Sequence, residues 1–333
     1  MSTAPGPRVV VVGPVNMDLF MRGEAPLDRE LLNTWVGPSD VQLIVAGSIG
    51  YTIQALARLG CQVEACTAIG EDAFGSHIRR ELEAAGIGLR YASIGRGDTA
   101  IALYLLLFGG SKRPMTYRFP GFEPWPDPLP AFQRAETPID LLHCGGLLHF
   151  PAMWHRTLGA RFAEARQAGV MTSLDPQFPL VDTPAPWLPH IFDVLAETDV
   201  LLCDEGEAGQ IFAVESVETA ITLAHAGGPR IVAIKRGPNG CLVSDGERVV
   251  RQPAIPVPAE LVREAVGAGD AFDSGFLDSL LRGADIVAAA RFATAAAALS
   301  LRARGGAEGI ADRAAVVAIE SEVPQAAIGA ALG

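Results

Sequence analysis

Between Arg263 and Arg282 the chain reads Arg-Glu-Ala-Val-Gly-Ala-Gly-Asp-Ala-Phe-Asp-Ser-Gly-Phe-Leu-Asp-Ser-Leu-Leu-Arg. Gly267 and Gly269 let the backbone turn tightly with no Cβ in the way. Ala271, Phe272, Phe276, Leu277, Leu280 and Leu281 then recur at helical spacing, which predicts a helix that begins at the glycines. The first N–H groups of a helix have no partner inside it and carry the positive end of its dipole, so a bare turn there can hold an anion such as a phosphate. Asp270 falls beside that place. A carboxylate within reach of a phosphoryl group can take the proton from an attacking hydroxyl, which is general-base work in phosphoryl transfer. On these residues alone, a capped helix behind a glycine turn fits equally well.

The rest of the chain must position this stretch, and its composition limits how. The 333 residues lie at the upper edge of one domain, with 49% hydrophobic and 19% charged residues, the balance of a compact globule with ample core. The formal charge of −12 argues against a nucleic-acid partner, which needs clustered Lys and Arg, so an anionic ligand must be held locally. Cys61, Cys66, Cys144, Cys203 and Cys241 are scattered, mostly in apolar runs, and read as reduced and buried. No signal peptide follows Met1, and neither Ile101–Phe108 nor the Ala-rich run Ile286–Leu299 has the length or pattern of a membrane span. A cytoplasmic enzyme without a membrane partner is the expectation.

Val9–Val12 is a continuous β-branched run ending at Gly13, the pattern of a strand buried on both faces. Asn16-Met17-Asp18 then falls at a strand end, the ligand side of an open α/β sheet, which makes Asp18 a candidate for gripping hydroxyls. Leu19–Val45 reads as an irregular excursion that could cover a site. Helices are predicted after Gly50 and Gly75 and around 154–168, 207–212, 217–225 and 285–302; strands over Val63–Ala68, Leu141–His143, Val170–Leu174, Val200–Cys203 and Ile231–Ile234. Thr99–Phe108 and Met115–Phe119 look like a hairpin, and Cys241–Ser244 with Arg248–Arg251 forms another around Asp245-Gly246. Repeated βα units predict an α/β fold: a doubly wound, mostly parallel sheet with helices on both faces. No repeat or charge block divides the chain, so residues 1–333 are read as a single domain with small β-lid segments at about 19–45 and 99–119.

At this point the chain resembles the ribokinase, or PfkB-type, carbohydrate kinase family from Val9 to about Ile310. Gly267-Ala268-Gly269-Asp270-Ala271-Phe272 matches its second signature; Ala57-Arg58-Leu59-Gly60, Ile69-Gly70-Glu71-Asp72-Ala73-Phe74-Gly75, Asn16-Met17-Asp18, Leu174-Asp175-Pro176 and Lys235-Arg236-Gly237-Pro238-Asn239-Gly240 follow in family order. The resemblance implies that Gly267, Ala268 and Gly269 form an anion hole and that Asp270 is the base of an ATP-dependent kinase. It implies that Glu207, with Asp204 beside it, organises Mg²⁺ and its waters. Lys235, Gly237 and Gly240 would line the nucleotide, with Thr294 and Ala297 at the adenine edge.

Departures bear on the substrate. Where the first signature has Gly-Gly and a later Asn, this chain has Ala46, Gly47 and Tyr51, and Tyr51 cannot offer an amide to sugar hydroxyls. Glu264-Ala265-Val266 stands for the family's Asp-Thr-Thr, keeping at Glu264 a carboxylate for a monovalent-cation site while losing the hydroxyls. Tyr117-Arg118 resembles the branch acting on ketodeoxy sugar acids, where Arg118 would suit a carboxylate. Trp35, Tyr104, Phe119 and Trp125 are candidate apolar walls under the lid. The reading is a kinase for a small sugar or sugar-acid substrate, pairing as a homodimer through exposed lid strands. Its rivals are a nucleoside kinase of the same family and a non-catalytic binding protein on a kinase scaffold. A dinucleotide-dependent dehydrogenase is disfavoured because Val12-Gly13-Pro14-Val15 lacks the glycine fingerprint.

Overall fold

The computed structural model describes residues 5–37, 39–95, 97–107, 115–118, 138–149, 151–154 and 156–332. In chain order the first half contains β1 (Arg8–Val12), β2 (Asn16–Gly23), α1 (Arg29–Thr34), β3 (Ser39–Ala46), α2 (Gly50–Arg58), β4 (Gln62–Cys66), β5 (Ala68–Ile69), α3 (Ala73–Ala84), β6 (Ser93–Ile94), β7 (Ile101–Leu106) and β8 (Met115–Arg118). Next come β9 (Leu141–Gly145), α4 (Arg156–Gln167), β10 (Met171–Asp175), α5 (Leu188–Leu195), β11 (Val200–Asp204), α6 (Glu205–Phe212), α7 (Val217–Gly227) and β12 (Ile231–Lys235). The chain ends with β13 (Cys241–Ser244), β14 (Arg248–Gln252), α8 (Ala268–Leu281), α9 (Ile286–Leu301), α10 (Arg313–Ile319) and β15 (Ala327–Ala330).

The main sheet runs β15-β14-β13-β12-β11-β10-β9-β1-β4. From β12 to β4 every pairing is parallel, and β13, β14 and β15 add an antiparallel edge. The order reverses at β1, which has β4 on one side and β9 on the other. Such a switch point opens a crevice beyond the carboxyl ends of the strands. The apolar run of β1 is used on both faces. Val10 and Val12 pack with Phe162 of α4, Ile191 of α5 and Ile211 of α6. Val9 and Val11 pack on the other side with Ile53 of α2, Ile78 of α3 and Phe276 of α8. All five cysteines are buried and none forms a disulfide.

A second sheet, β3-β2-β7-β8, contains the segments read from the sequence as a lid. It corrects the expectation for Leu19–Val45, which is not irregular: β2 and β3 pair antiparallel over eight residues, Asn16↔Ala46 through Gly23↔Ser39, with the short α1 between them. The pattern was hidden because polar Asn16, Asp18, Arg22, Asp40 and Gln42 interrupt the apolar residues of β2 and β3, and Pro26 and Gly37 break the stretch between them. Asn16-Met17-Asp18 follows the end of β1, as expected, and opens the first strand of this sheet. Two smaller differences follow from the same local ambiguity: Val63–Ala68 divides into β4 and the start of β5, and α5, α10 and β15 were not anticipated. Phe119 and Trp125 lie outside the described residues.

Candidate active site

The crevice is bounded by the first turn of α8, the start of α2, strands β2 and β7, and the turns after β1, β9 and β10. Pro14, Asn16, Asp18, Gly47, Ser48, Tyr51, Tyr104, His149, Gln177, Phe178 and Asp270 line a cavity of about 500 Å³ including its open mouth. Among the residues singled out from sequence, Asp18, Gly47, Tyr51, Tyr104 and Asp270 are therefore brought together, although they span more than two hundred positions.

The glycine turn forms as expected. Gly267 caps α8 with φ +86°, a left-handed conformation that suits glycine, and a Cβ there would stand 2.9 Å from Gly306 Cα and 3.1 Å from the Tyr51 ring. Six other helices, α1, α3, α6, α7, α9 and α10, have an Asp or Ser side chain capping their first amides. The fourteen-residue α8 has none. The same holds for α2 and α5, but of the three only α8 opens on a glycine cap, where Ala268 N–H meets Ala265 O at 3.4 Å and no side chain caps the amides that follow.

Asp270 sits in that first turn and accepts a 3.0 Å hydrogen bond from Thr52 Oγ1. Burial pushes its carboxyl up to about 7, and the neighbouring Asp175 charge adds to this, while Lys235 and the Thr52 hydrogen bond act the other way. A carboxyl poised near neutrality is suited to receive a proton. Across the cleft, Asp18 accepts from Asn16 Nδ2 at 2.6 Å and from Tyr51 Oη at 3.1 Å. Burial raises it also to about 7, with those hydrogen bonds opposing. His149 Nδ1 and Ser48 Oγ lie 2.8 Å apart at the far wall, and burial pushes the imidazole down to about 4, so it is neutral near pH 7. Gln177 holds φ +56° without being glycine, a strained conformation of the kind that gathers at functional sites.

The ends of β10, β11 and β12 bring charge to the other side of the turn. Lys235 Nζ lies 2.9 Å from Asp175 Oδ2 and 2.8 Å from Asp273 Oδ2. It also lies 3.6 Å from where a Cβ on Gly269 would stand, so the ammonium borders the anion turn. Burial opposes its charge, but the two carboxylates outweigh that and hold it well above the ordinary lysine range. Asp204 and Glu207 form a reciprocal capping box at the start of α6, Asp204 N–H to Glu207 Oε2 at 2.8 Å and Glu207 N–H to Asp204 Oδ1 at 2.7 Å. Burial first, then the Asp175 charge, pushes Glu207 up to about 8. Among the described residues no group of three or more His, Cys, Asp or Glu could hold a metal by itself. The Asp204 and Glu207 carboxylates fit the habit of Mg²⁺, which is held by one or two carboxylates with waters and substrate phosphates.

Other sequence-derived candidates stand further from the cleft. Gly237 and Gly240, at φ +53° and +81°, shape the turn after β12. Thr294 and Ala297 lie on α9, where buried Thr294 returns its hydroxyl to Ala290 O at 2.8 Å. Glu264 is engaged by the Arg22 guanidinium of β2 at 2.7 Å, tying that strand to the irregular segment leading into the glycine turn. The register pairs Arg118 with Ile101, and side chains of β8 lie outside the described residues. Sequence reasoning missed Thr52, Ser48, His149, Gln177, Phe178 and Asp273. The one signal it had for the turn holding Gln177 and Phe178 was the preceding Leu174-Asp175-Pro176.

Comparisons with known proteins agree with the fold. The family model described as pfkB family carbohydrate kinase matches residues 7–313. The chain is 26% identical to a ribokinase of Arabidopsis thaliana over 94% of its own length and 81% of that protein. It is 29% identical to a nucleoside kinase of Methanothermobacter thermautotrophicus over 75% of each chain. Arabidopsis thaliana ribokinase solved with ribose and ATP superposes with a TM-score of 0.74 at 23% identity, covering 95% of this chain and 99% of that one.

Proposed function

The chain belongs to the pfkB family of carbohydrate kinases, phosphotransferases that act on alcohol groups, and on that premise we propose that it moves the γ-phosphoryl group of ATP to a hydroxyl of a small sugar or sugar-like acceptor. The observation that carries this reading is the placement of Asp270 at both boundaries at once: it lies in the first turn of the uncapped α8 and lines the same cavity as Asp18. In this reading Asp18 grips acceptor hydroxyls, and Asn16 and Tyr51 fix its carboxylate. Asp270 takes the proton as the acceptor oxygen attacks in line, and the amides from Gly267, Ala268 and Gly269 to Asp270 stabilise the negative charge that develops on the transferred group.

Lys235 is the local cation at the phosphates, which the chain's overall charge of −12 makes necessary. Gly237 and Gly240 would let the backbone approach the nucleotide, and Thr294 and Ala297 would edge the adenine. Glu207, with Asp204 beside it, would order the waters of a magnesium ion. That ion supplies the shielding without which an oxygen nucleophile is repelled by clustered phosphates. Arg22 already neutralises Glu264, so we assign the positive charge beside the turn to a guanidinium in place of a monovalent ion. Residues 1–333 are taken as one kinase domain whose lid is β3-β2-β7-β8.

One observation favours a nucleoside over a bare sugar. Tyr51, Tyr104, His149 and Phe178 put four rings around the cavity, with Phe178 half-exposed at its rim and packed edge-on to His149 at 5.1 Å. Such rings suit a planar base. A sugar acid would draw on Arg118.

A homodimer through the lid belongs to the same proposal. Rows Leu19–Leu43–Leu103 and Met21–Val41–Leu105 put apolar residues on the face opposite Asp18, and Leu43 and Val41 of edge strand β3 are 48% and 55% exposed. An apolar sheet face beside an open edge fits a second copy of itself. Release of ADP across a panel of sugars, sugar acids and nucleosides tests the function. Turnover with one class is expected; ligand-induced stabilisation with no ADP from any class would make the protein a sensor.

A further inference from the structure

Asp273 and Asp175 are charged residues of this region that the proposed chemistry leaves unused, and of the two Asp273 is the one on α8. It stands one turn beyond Gly269 on α8 and is 1% exposed. Its Oδ2 accepts from Lys235 Nζ at 2.8 Å, and its Oδ1 has no hydrogen-bond partner among the described residues. Burial and the neighbouring Asp175 charge push its carboxyl well above the ordinary aspartate range, and the Lys235 ammonium opposes them. A buried acid is costly unless its partners compensate, so its place among the buried residues of α8 calls for a role. Lys235 already has Asp175, at 2.9 Å from the end of β10. With that partner alone the flexible lysine stem would let the ammonium settle toward β10. A second carboxylate on α8 draws it from the helix side and fixes it beside the Gly269 turn.

We propose that Asp273 is a positioning residue for the nucleotide phosphates, acting by holding the Lys235 ammonium at the glycine turn. This rests on the reading of Lys235 as a phosphate contact. The two carboxylates do not neutralise the lysine out of use. They pre-orient it, so that an incoming phosphate oxygen meets a donor whose place is set before binding.

The test is the affinity of the full chain for Mg-ATP and for AMP, measured by titration calorimetry. AMP lacks the β- and γ-phosphates, so it reports the nucleotide site without the contact at issue. Asp273→Asn, which keeps the shape, is expected to weaken Mg-ATP about tenfold, the size of one charge-assisted hydrogen bond, and to leave AMP within about twofold. Lys235→Met is expected to do the same, and adding Asp273→Leu to Lys235→Met should change Mg-ATP affinity no further. That double variant replaces buried charge with apolar volume and keeps the test open if Asp273→Asn fails to fold. Equal weakening of ATP and AMP by Asp273→Asn, or a further tenfold loss of ATP affinity in the double variant, would overturn the proposal by making Asp273 a packing residue or one independent of Lys235. If Lys235→Met weakens Mg-ATP while Asp273→Asn does not, the proposal alone fails. Unchanged Mg-ATP affinity in Lys235→Met removes the reading of Lys235 itself.

Discussion

Thr52 Oγ1 donates a hydrogen bond to Asp270 Oδ1 at 3.0 Å, joining the first turn of α2 to the first turn of α8. Ser274 Oγ lies between the two segments, giving its one proton to Asp270 O at 2.7 Å with Thr52 O also within reach at 3.2 Å. The carboxylate at the cleft is therefore held by a neighbouring helix and does not swing freely. The donor also favours the ionised form, which is the form a base must have.

A pH dependence follows with a definite sign. Asp270 is pushed up to about 7, so its reactive carboxylate is lost as pH falls through that value, and kcat/KM for the acceptor should show an acid limb there. In Thr52→Val the favouring donor is gone and the limb should move upward by roughly one pH unit, with a several-fold loss of turnover at pH 7. A limb that stays in place in the variant contradicts the coupling.

Tyr51→Phe separates the ring of Tyr51 from its hydroxyl. The ring still covers Gly267 and Gly306, whereas Asp18 loses one of its two side-chain donors. Acceptor KM should rise about tenfold, with KM for ATP and the melting temperature nearly unchanged. A rise confined to the ATP KM would place Tyr51 with the nucleotide.

Gly267→Ala should strike stability and turnover together. The position has φ +86°, and the new Cβ would stand 2.9 Å from Gly306 Cα, so the turn must shift. A loss of about 1–2 kcal/mol in urea unfolding is expected, with a marked fall in kcat. Normal turnover in a destabilised variant would mean that the turn's shape does not serve the reaction.

Leu43→Glu addresses the lid. Sedimentation at micromolar concentration should give a dimer for the parent chain and a monomer for the variant, since a charge is placed on the apolar outer face. A monomeric parent would remove the dimer from the account.

What was readable in advance divides along physical lines. Helix α8 and its glycine turn were legible because both signals are local, apolar spacing and two residues without a Cβ. The parallel sheet was legible because strands such as β1 are buried on both faces and write an unbroken β-branched run. Strands β2 and β3 escaped because polar residues interrupt their apolar ones and read as loop. The partnership of Asp175, Lys235 and Asp273 left no local mark: two strand ends and one helix turn meet there from distant parts of the chain. In the sequence Asp273 is only a polar break in the stripe of α8. His149 and Gln177 were hidden for the same reason, since each belongs to a turn whose partner, Ser48, lies on another segment.

The central claim is that Asp270 accepts the acceptor's proton beside an anion-holding turn, and Asp270→Asn tests it most directly. With an acceptor identified by ADP release, the variant should lose turnover by ~10²–10⁴-fold while Mg-ATP still binds, because only the proton acceptor is removed. Turnover close to that of the parent chain would contradict the account.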